Sequence, residues 1–149
     1  MSEKQALQLV CASCGAVNRV PASRLADRPV CGKCKSLILS GEAINVGDAN
    51  FARWLQKNDL PVVVDFWAPW CGPCVSFAPV YKDVAKRWAG RARFLKLDTE
   101  AQPVTAGQYQ IRSIPTLMVF SQGREVARNA GALPPAQFEQ WLANYLPRH

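Results

Sequence analysis

Six cysteines in 149 residues fall into three C-x-x-C pairs, and at that spacing two sulfurs can act together. Cys11 and Cys14 are followed, after sixteen intervening residues, by Cys31 and Cys34. Each short turn brings two sulfurs to one side of a knuckle, and two facing knuckles complete a tetrahedral thiolate shell. Zinc is the metal this set predicts, with iron the chemical alternative in the same four-sulfur shell. Gly15 follows Cys14 and Gly32 follows Cys31, and both are expected to let the knuckles bend so that N–H groups point at sulfur. Four protein ligands leave no open position for a substrate, so a structural metal is expected. A sensing role, in which the thiolates oxidise and release the metal, is the second reading.

Cys71 and Cys74 call for different chemistry. They sit in WAPWCGPC, at the end of the apolar run at 61–67. A strand there followed by a helix from about Gly72 puts Cys71 at the helix N-terminus, where free N–H groups and the dipole favour a thiolate. Cys74, one turn on, is expected to be more enclosed. Gly72 and Pro73 keep the turn tight, and a proline in the first helical turn loses no hydrogen bond. Such a dithiol reduces a disulfide in two steps, attack by Cys71 and release by Cys74. The second step needs a base. Asp65, a carboxylate in the middle of the apolar strand, should have a raised pKa and serve that role. The alternative is a buried aspartate that is satisfied by hydrogen bonds and otherwise inert.

The elements that must position these residues divide into two unequal parts. Positions 1–50 contain no Phe, Tyr or Trp, and a segment so poor in large side chains needs a staple. The boundary falls near 40–46, giving a ribbon-like metal-binding part at 1–45 and a larger α/β part at 46–149. The two are expected to pack closely, since no long linker separates them. In the larger part Asp48 is the expected N-cap of a helix bearing Phe51, Trp54 and Leu55. A doubly buried strand follows at 61–67. The next helix carries Phe77, Val80, Tyr81, Val84 and Trp88 on one face, with Pro79 inside it. A strand at 93–97, a short helix at 101–109, a hairpin of 116–120 and 125–130, and a last helix from Pro134-Pro135 complete it. That last helix places Phe138, Trp141, Leu142 and Tyr145 on one face. The order implies a mixed central sheet flanked by helices.

The formal net charge of +7 raises the question of nucleic acid. A metal-loaded tetrathiolate lowers it to about +5. The densest basic group, Lys82, Lys86, Arg87, Arg91 and Arg93, falls at and after a helix C-terminus, where cations complement the dipole. The cysteine-rich part has no aromatic side chain on which to stack a base, so no nucleic-acid partner is expected. The lone histidine, His149, reads as a solvated terminus. No stretch approaches the ~18 apolar residues of a membrane span. MSEKQALQLVC has neither a basic nor an apolar signal region, so a reducing cytoplasm is the expected compartment, where six cysteines serve metal or redox chemistry.

Residues 46–149 resemble the thioredoxin family along their whole length. The resemblance rests on VVVDFWAPWCGPC, the AP at 78–79, Lys96 in FLKLD, IRSIPT at 111–116 and GAL at 131–133. With four cysteines ahead of it, the chain is similar to the zinc-carrying bacterial thioredoxins of the thioredoxin-2 group. The resemblance implies a thioredoxin fold and a cytosolic protein-disulfide reductase recharged by an NADPH-dependent thioredoxin reductase. It implies that Pro115 is a cis-proline beside the dithiol, with the Ile114 backbone pairing to substrate, although an ordinary trans proline is what composition alone favours. Trp70, Gly72, Pro73 and Gly131 would complete the docking surface, and Lys96 would help set the proton affinity of Asp65. Two positions depart from the common pattern, Val75 in place of a basic residue and Ser113 in place of glycine. A zinc-dependent sensor or holdase, indifferent to loss of Cys71, is the competing function; a nucleic-acid-binding ribbon fused to a redox switch is a third.

Overall fold

The computed structural model describes residues 5–147. The readings of residues 1–4 and of His149 lie outside the described residues. The cysteine-rich part begins with strands β1 (Ala6–Val10) and β2 (Val17–Pro21), an antiparallel hairpin with Leu7 opposite Val20. A 3-10 helix at Ala22–Asp27 leads to the second knuckle, whose arms meet in a bridge between Val30 and Leu37. Leu7, Leu9, Val20 and Ile38 are buried together with Cys11 and Cys31. That core holds no aromatic ring, as the composition requires, and two of its members are cysteines.

The larger part continues through β3 (Ile44–Asn45), α1 (Phe51–Gln56), β4 (Val62–Trp67), α2 (Gly72–Arg87), β5 (Arg93–Asp98) and α3 (Pro103–Gln108). It closes with β6 (Thr116–Ser121), β7 (Arg124–Ala130) and α4 (Pro135–Ala143). The sheet order is β3-β5-β4-β6-β7. The first three strands are parallel, and β6 and β7 add antiparallel partners. Because successive side chains alternate between faces, Val62, Val64 and Phe66 of β4 meet Phe51 and Trp54 of α1. Val63 faces the other way, with Phe77, Tyr81 and Val84 of α2 and Phe138 and Leu142 of α4. Both faces of β4 are therefore covered, which is why its sequence is apolar without alternation. The Tyr81 hydroxyl donates to the Leu95 carbonyl at 2.6 Å and lies 3.0 Å from that of Val63, tying α2 to the two central strands. The hairpin turn Gln122-Gly123 has positive φ at both residues (54° and 77°), as a two-residue turn matching strand twist requires.

Two local expectations are corrected. Asp48 does not cap α1, whose N-cap position is Asn50 and lacks a side-chain cap. Its carboxylate instead accepts from the N–H groups of Val104 (3.3 Å) and Thr105 (2.7 Å), capping α3. Gln102 Oε1 accepts the Asp48 N–H in return at 2.7 Å, a reciprocal cap of the kind usually made within one turn. α3 consequently starts at Pro103. The basic group also divides. Lys86 and Arg87 lie in the last turn of α2, Arg87 pairs with Glu139, and Arg91 stacks on Trp88. Arg93, however, is buried.

The two parts share side chains. Val10 of β1 packs among Val46, Phe51 and Trp54, while Leu60 joins the core of the cysteine-rich part. The Asp59 N–H donates to the Gln8 carbonyl at 2.8 Å, and the Gln8 N–H donates to the Asp59 carboxylate at 2.6 Å. Arg53 Nε donates to the Gly15 carbonyl at 2.8 Å.

Candidate active site and metal centre

β4 ends at Trp67, a short turn follows, and α2 begins at Gly72 with Pro73 in its first turn. Cys71 occupies the N-cap, and its Sγ accepts the Cys74 N–H at 3.2 Å. This is the contact expected to favour a thiolate. Cys71 and Cys74 are joined as a disulfide with Cα atoms 5.2 Å apart. Both are buried among Ala68, Trp67 and Ile114. Cys71 Sγ lies 3.7 Å from the Ile114 carbonyl oxygen. The Ile114–Pro115 peptide is cis, and the Pro115 carbonyl accepts the Gly131 N–H at 2.8 Å. Gly131 has φ 109° with no atom within 4 Å of an added Cβ, so backbone conformation demands glycine there. Trp70, 71% exposed, hydrogen-bonds the Glu100 carboxylate through its indole N–H. Val75 is also exposed, giving the dithiol an apolar rim.

Asp65 lies on the face of β4 that α2 covers, the same face as Val63 and Trp67. It is wholly buried, and neither carboxylate oxygen has a hydrogen-bond partner. Burial pushes its pKa up to about 7, the positive charge of Lys96 pulling the other way. Asp65 and Lys96 are partners in the β4–β5 register, yet Lys96 Nζ sits over the Trp67 ring, 4.3 Å from its centroid. The Trp67 indole N–H is likewise buried without a partner. A carboxyl that accepts no fixed hydrogen bond, with a pKa near neutrality, can gain and lose a proton without breaking a structural contact.

The Sγ atoms of Cys11, Cys14, Cys31 and Cys34 all lie within 4.8 Å of one another. Cys11–Cys34 and Cys14–Cys31 are each 3.6 Å apart, and none of the four is in a disulfide. A tetrahedral divalent metal about 2.3 Å from each sulfur sets sulfurs about 3.8 Å apart, so the residues fit such an ion. The knuckles are closed by the Gly15 N–H on the Cys11 carbonyl and the Lys35 N–H on the Cys31 carbonyl. Here the expectation for Gly32 is corrected. The left-handed residue of the second knuckle is Lys35 (φ 69°), the counterpart of Gly15 (φ 78°). Gly32 instead gives its N–H to Asn18 Oδ1 at 2.9 Å. Cys31 Sγ accepts from Lys33 N and from Asn18 Nδ2, both at 3.4 Å. The Cys34 backbone, Asn18 and Lys33 together hold its thiol down to about 6. Cys14 and Cys34 are exposed, Cys11 and Cys31 buried.

Sequence reasoning missed what Arg93 does. Its guanidinium reaches Asn58 Oδ1 (2.9 Å) and the Ile38 carbonyl (3.0 Å) and lies over the Trp54 ring. Burial lowers its pKa to about 10, while the nearby Cys11 sulfur in its charged form favours the cation. The available signal was its place at the head of the apolar stretch ARFLKL, a poor place for a solvated cation.

A pair of sulfurs that can hold two electrons or release them, set in an apolar rim at the end of a central strand, makes this a thiol–disulfide oxidoreductase. The thioredoxin sequence model matches residues 42–144, and that described as "Thioredoxin 2, N-terminal", a zinc ribbon, matches residues 10–36. Thioredoxin C-3 of Corynebacterium nephridii is 46% identical over 138 residues, 93% of this chain and 94% of its own length. A thioredoxin of Synechocystis sp. is 46% identical over 101 residues, 68% of this chain and 94% of its own length. The M-type chloroplastic thioredoxin of Chlamydomonas reinhardtii is 39% identical over 130 residues, 85% of this chain and 93% of its own length. The chain belongs to the thioredoxin family, in the form that carries an N-terminal zinc ribbon, and is a protein-disulfide reductase. Among the described residues no helix is long and apolar enough to cross a membrane.

Proposed function

We propose that the chain reduces protein disulfides in the cytoplasm through Cys71 and Cys74, with Asp65 as the base and electrons supplied by an NADPH-dependent thioredoxin reductase. The Cys71 thiolate attacks one sulfur of the substrate disulfide, and the other substrate sulfur leaves as a thiolate that takes a proton from solvent. The mixed disulfide so formed is broken when Cys74 gives its proton to Asp65 and attacks Cys71 Sγ. The second substrate sulfur departs as a thiolate that is protonated from solvent as Asp65 gives its proton up, two electrons have passed to substrate, and Cys71–Cys74 is left oxidised for the reductase to recharge. Lys96 biases the proton affinity of Asp65 through space. Trp70, Gly72, Pro73, Ile114, Pro115 and Gly131 form the surface on which an extended substrate segment docks, the Ile114 carbonyl beside Cys71 Sγ being its hydrogen-bond register. The observation that carries the reading is the wholly buried, unpartnered carboxylate of Asp65 under the helix that bears the dithiol.

One zinc ion bound by Cys11, Cys14, Cys31 and Cys34 folds the ribbon of residues 1–45 against the thioredoxin domain of residues 46–149. When bound, it supplies a closed charge centre that supplements a small core without large side chains. Exposure of Cys14 and Cys34 favours an added redox-sensing role, in which an oxidant reaches these two ligands first. The test is NADPH consumption with a bacterial thioredoxin reductase and a disulfide-bonded protein substrate, zinc-loaded and zinc-stripped chains side by side. Turnover that disappears in Cys71→Ser supports the reductase. Undiminished binding of partners by Cys71→Ser, with no turnover in any sample, would favour the sensor or holdase.

A further inference from the structure

Arg93 opens β5, and its side chain lies between Trp54 of the large core and the Ile38 carbonyl of the ribbon. It is 3% exposed, and among the described residues no carboxylate forms an ion pair with it. The nearest acid in sequence to its partners, Asp59, is engaged with the Gln8 N–H. A buried cation left without an opposing charge is costly, so something in this region must balance it. The four thiolates around one divalent ion leave a centre of net charge about −2.

The hydrogen bonds run toward that centre from two sides. Asn58 Oδ1 accepts from Arg93 Nη1 and also from the N–H of Val10, the residue before Cys11. The Ile38 carbonyl, which accepts from Arg93 Nη2, follows the second knuckle, and the Ile38 N–H bonds back to the Pro29 carbonyl ahead of it. One guanidinium is thus tied to the segments that flank both knuckles, directly at Ile38 and through Asn58 at Val10, while its Cζ lies over Trp54, 4.8 Å from the ring centroid. Lysine carries the charge but not the two-armed geometry.

The geometry points to Arg93 as the counter-cation of the metal-loaded ribbon and the clamp that seats it on the sheet, so that metal retention and ribbon docking form one coupled equilibrium. Coupling of this kind is reciprocal: whatever weakens docking weakens metal binding by the same factor. Loss of the ion removes the negative centre and frees Val10 and Ile38 from the sheet, while β4 and β5, held by their own ladder, stay in place. The inference rests on the zinc reading above and adds the residue through which the ribbon is joined to the reductase.

The test uses the full chain loaded with zinc. Transfer of the metal to a chromogenic chelator is timed for wild type, Arg93→Lys, Arg93→Gln and Arg93→Met, with turnover of the dithiol as the check on folding. Groups that orient metal ligands change affinity about 10- to 100-fold, and Arg93, acting through Asn58 and Ile38, is placed at the lower end of that range. Gln and Met are expected to release zinc about tenfold faster or more, with Lys between them and wild type. Hydrogen exchange on the unmutated chain needs no variant to fold. Stripping zinc should remove protection of the Val10 and Asp59 amides and leave that of 94–97. Equal release rates in Lys, Gln and Met, or Val10 and Asp59 amides that stay protected in stripped wild type, would overturn the inference. A wild-type chain that takes up no zinc overturns the zinc reading and this inference with it. Zinc-loaded wild type beside unchanged variants overturns the inference alone.

Discussion

Asp65 and Lys96 are direct neighbours across the parallel β4–β5 ladder, yet they do not form an ion pair. Lys96 places its ammonium over the Trp67 ring, and the carboxylate is left buried with no hydrogen bond. An ion pair would have fixed the carboxylate as an anion and lowered its pKa. Held apart, Lys96 only tempers the effect of burial, and Asp65 titrates near neutrality.

Asp65→Asn should leave the first attack on substrate nearly intact and slow release of the mixed disulfide. Loss of a positioned base typically removes about 10²-fold or more of rate. Rapid acid trapping and mass measurement would show the Cys71–substrate adduct accumulating. Release at the wild-type rate would remove Asp65 from the mechanism.

The same residue makes stability depend on pH. Its pKa rises on folding, so protonated Asp65 fits its site below about pH 4, the value in an unfolded chain. Stability then declines as pH rises to about 7, beyond which the full penalty of a buried anion stands. A shift of about three units corresponds to about 4 kcal/mol. Asp65→Asn should therefore be more stable than wild type at pH 8 by about 3–4 kcal/mol, with the gap closing toward pH 4. Denaturant melts at the two pH values measure this directly.

Gly131→Ala creates no clash but forces a side chain into φ 109°. Backbone strain of this kind costs about 1–3 kcal/mol. The variant should melt earlier and, on the docking role proposed for Gly131 and Pro115, raise KM for protein substrates more than it lowers kcat.

Asp48→Ala should unfasten α3 rather than α1, because the Asp48 carboxylate meets the N–H groups of Val104 and Thr105. The expected result is a lower melting temperature and faster amide exchange at those two residues, with 54–57 unchanged. Its pKa is lowered first by the Thr105 side chain and then by these two N–H groups, burial opposing them. This contribution is present above about pH 4 and fades as pH falls.

Removing the metal with a chelator, or replacing Cys31 by serine, should expose 11–36 to proteolysis while the five-stranded sheet keeps its melting transition. The ribbon core has few large side chains, and metal binding there is folding free energy. A ribbon that resists cleavage when stripped would show that its apolar contacts with Leu60 and Trp54 suffice.

What sequence determined was whatever depends on neighbours within a turn or two. The C-x-x-C knuckles, the doubly buried strand around Asp65, the helix bearing Phe77, Tyr81 and Val84, and the Gln122-Gly123 turn were all legible, because local period and backbone preference encode them. The family pattern added the Pro115 loop and Gly131, which spacing alone does not distinguish from ordinary loop residues. Tertiary structure decided the partners. Asp48 is a good cap in any sequence, but only the fold brings the start of α3, more than fifty residues away, to its carboxylate. Lys35 rather than Gly32 takes the left-handed turn because each knuckle closes on the residue after its second cysteine, whose N–H returns to the carbonyl of the first. Arg93 looked like one more basic residue after a helix. Its meaning came from Asn58, Ile38 and Trp54, each at least 35 residues distant, since the environment that makes a charge costly or useful exists only once the chain has closed around it.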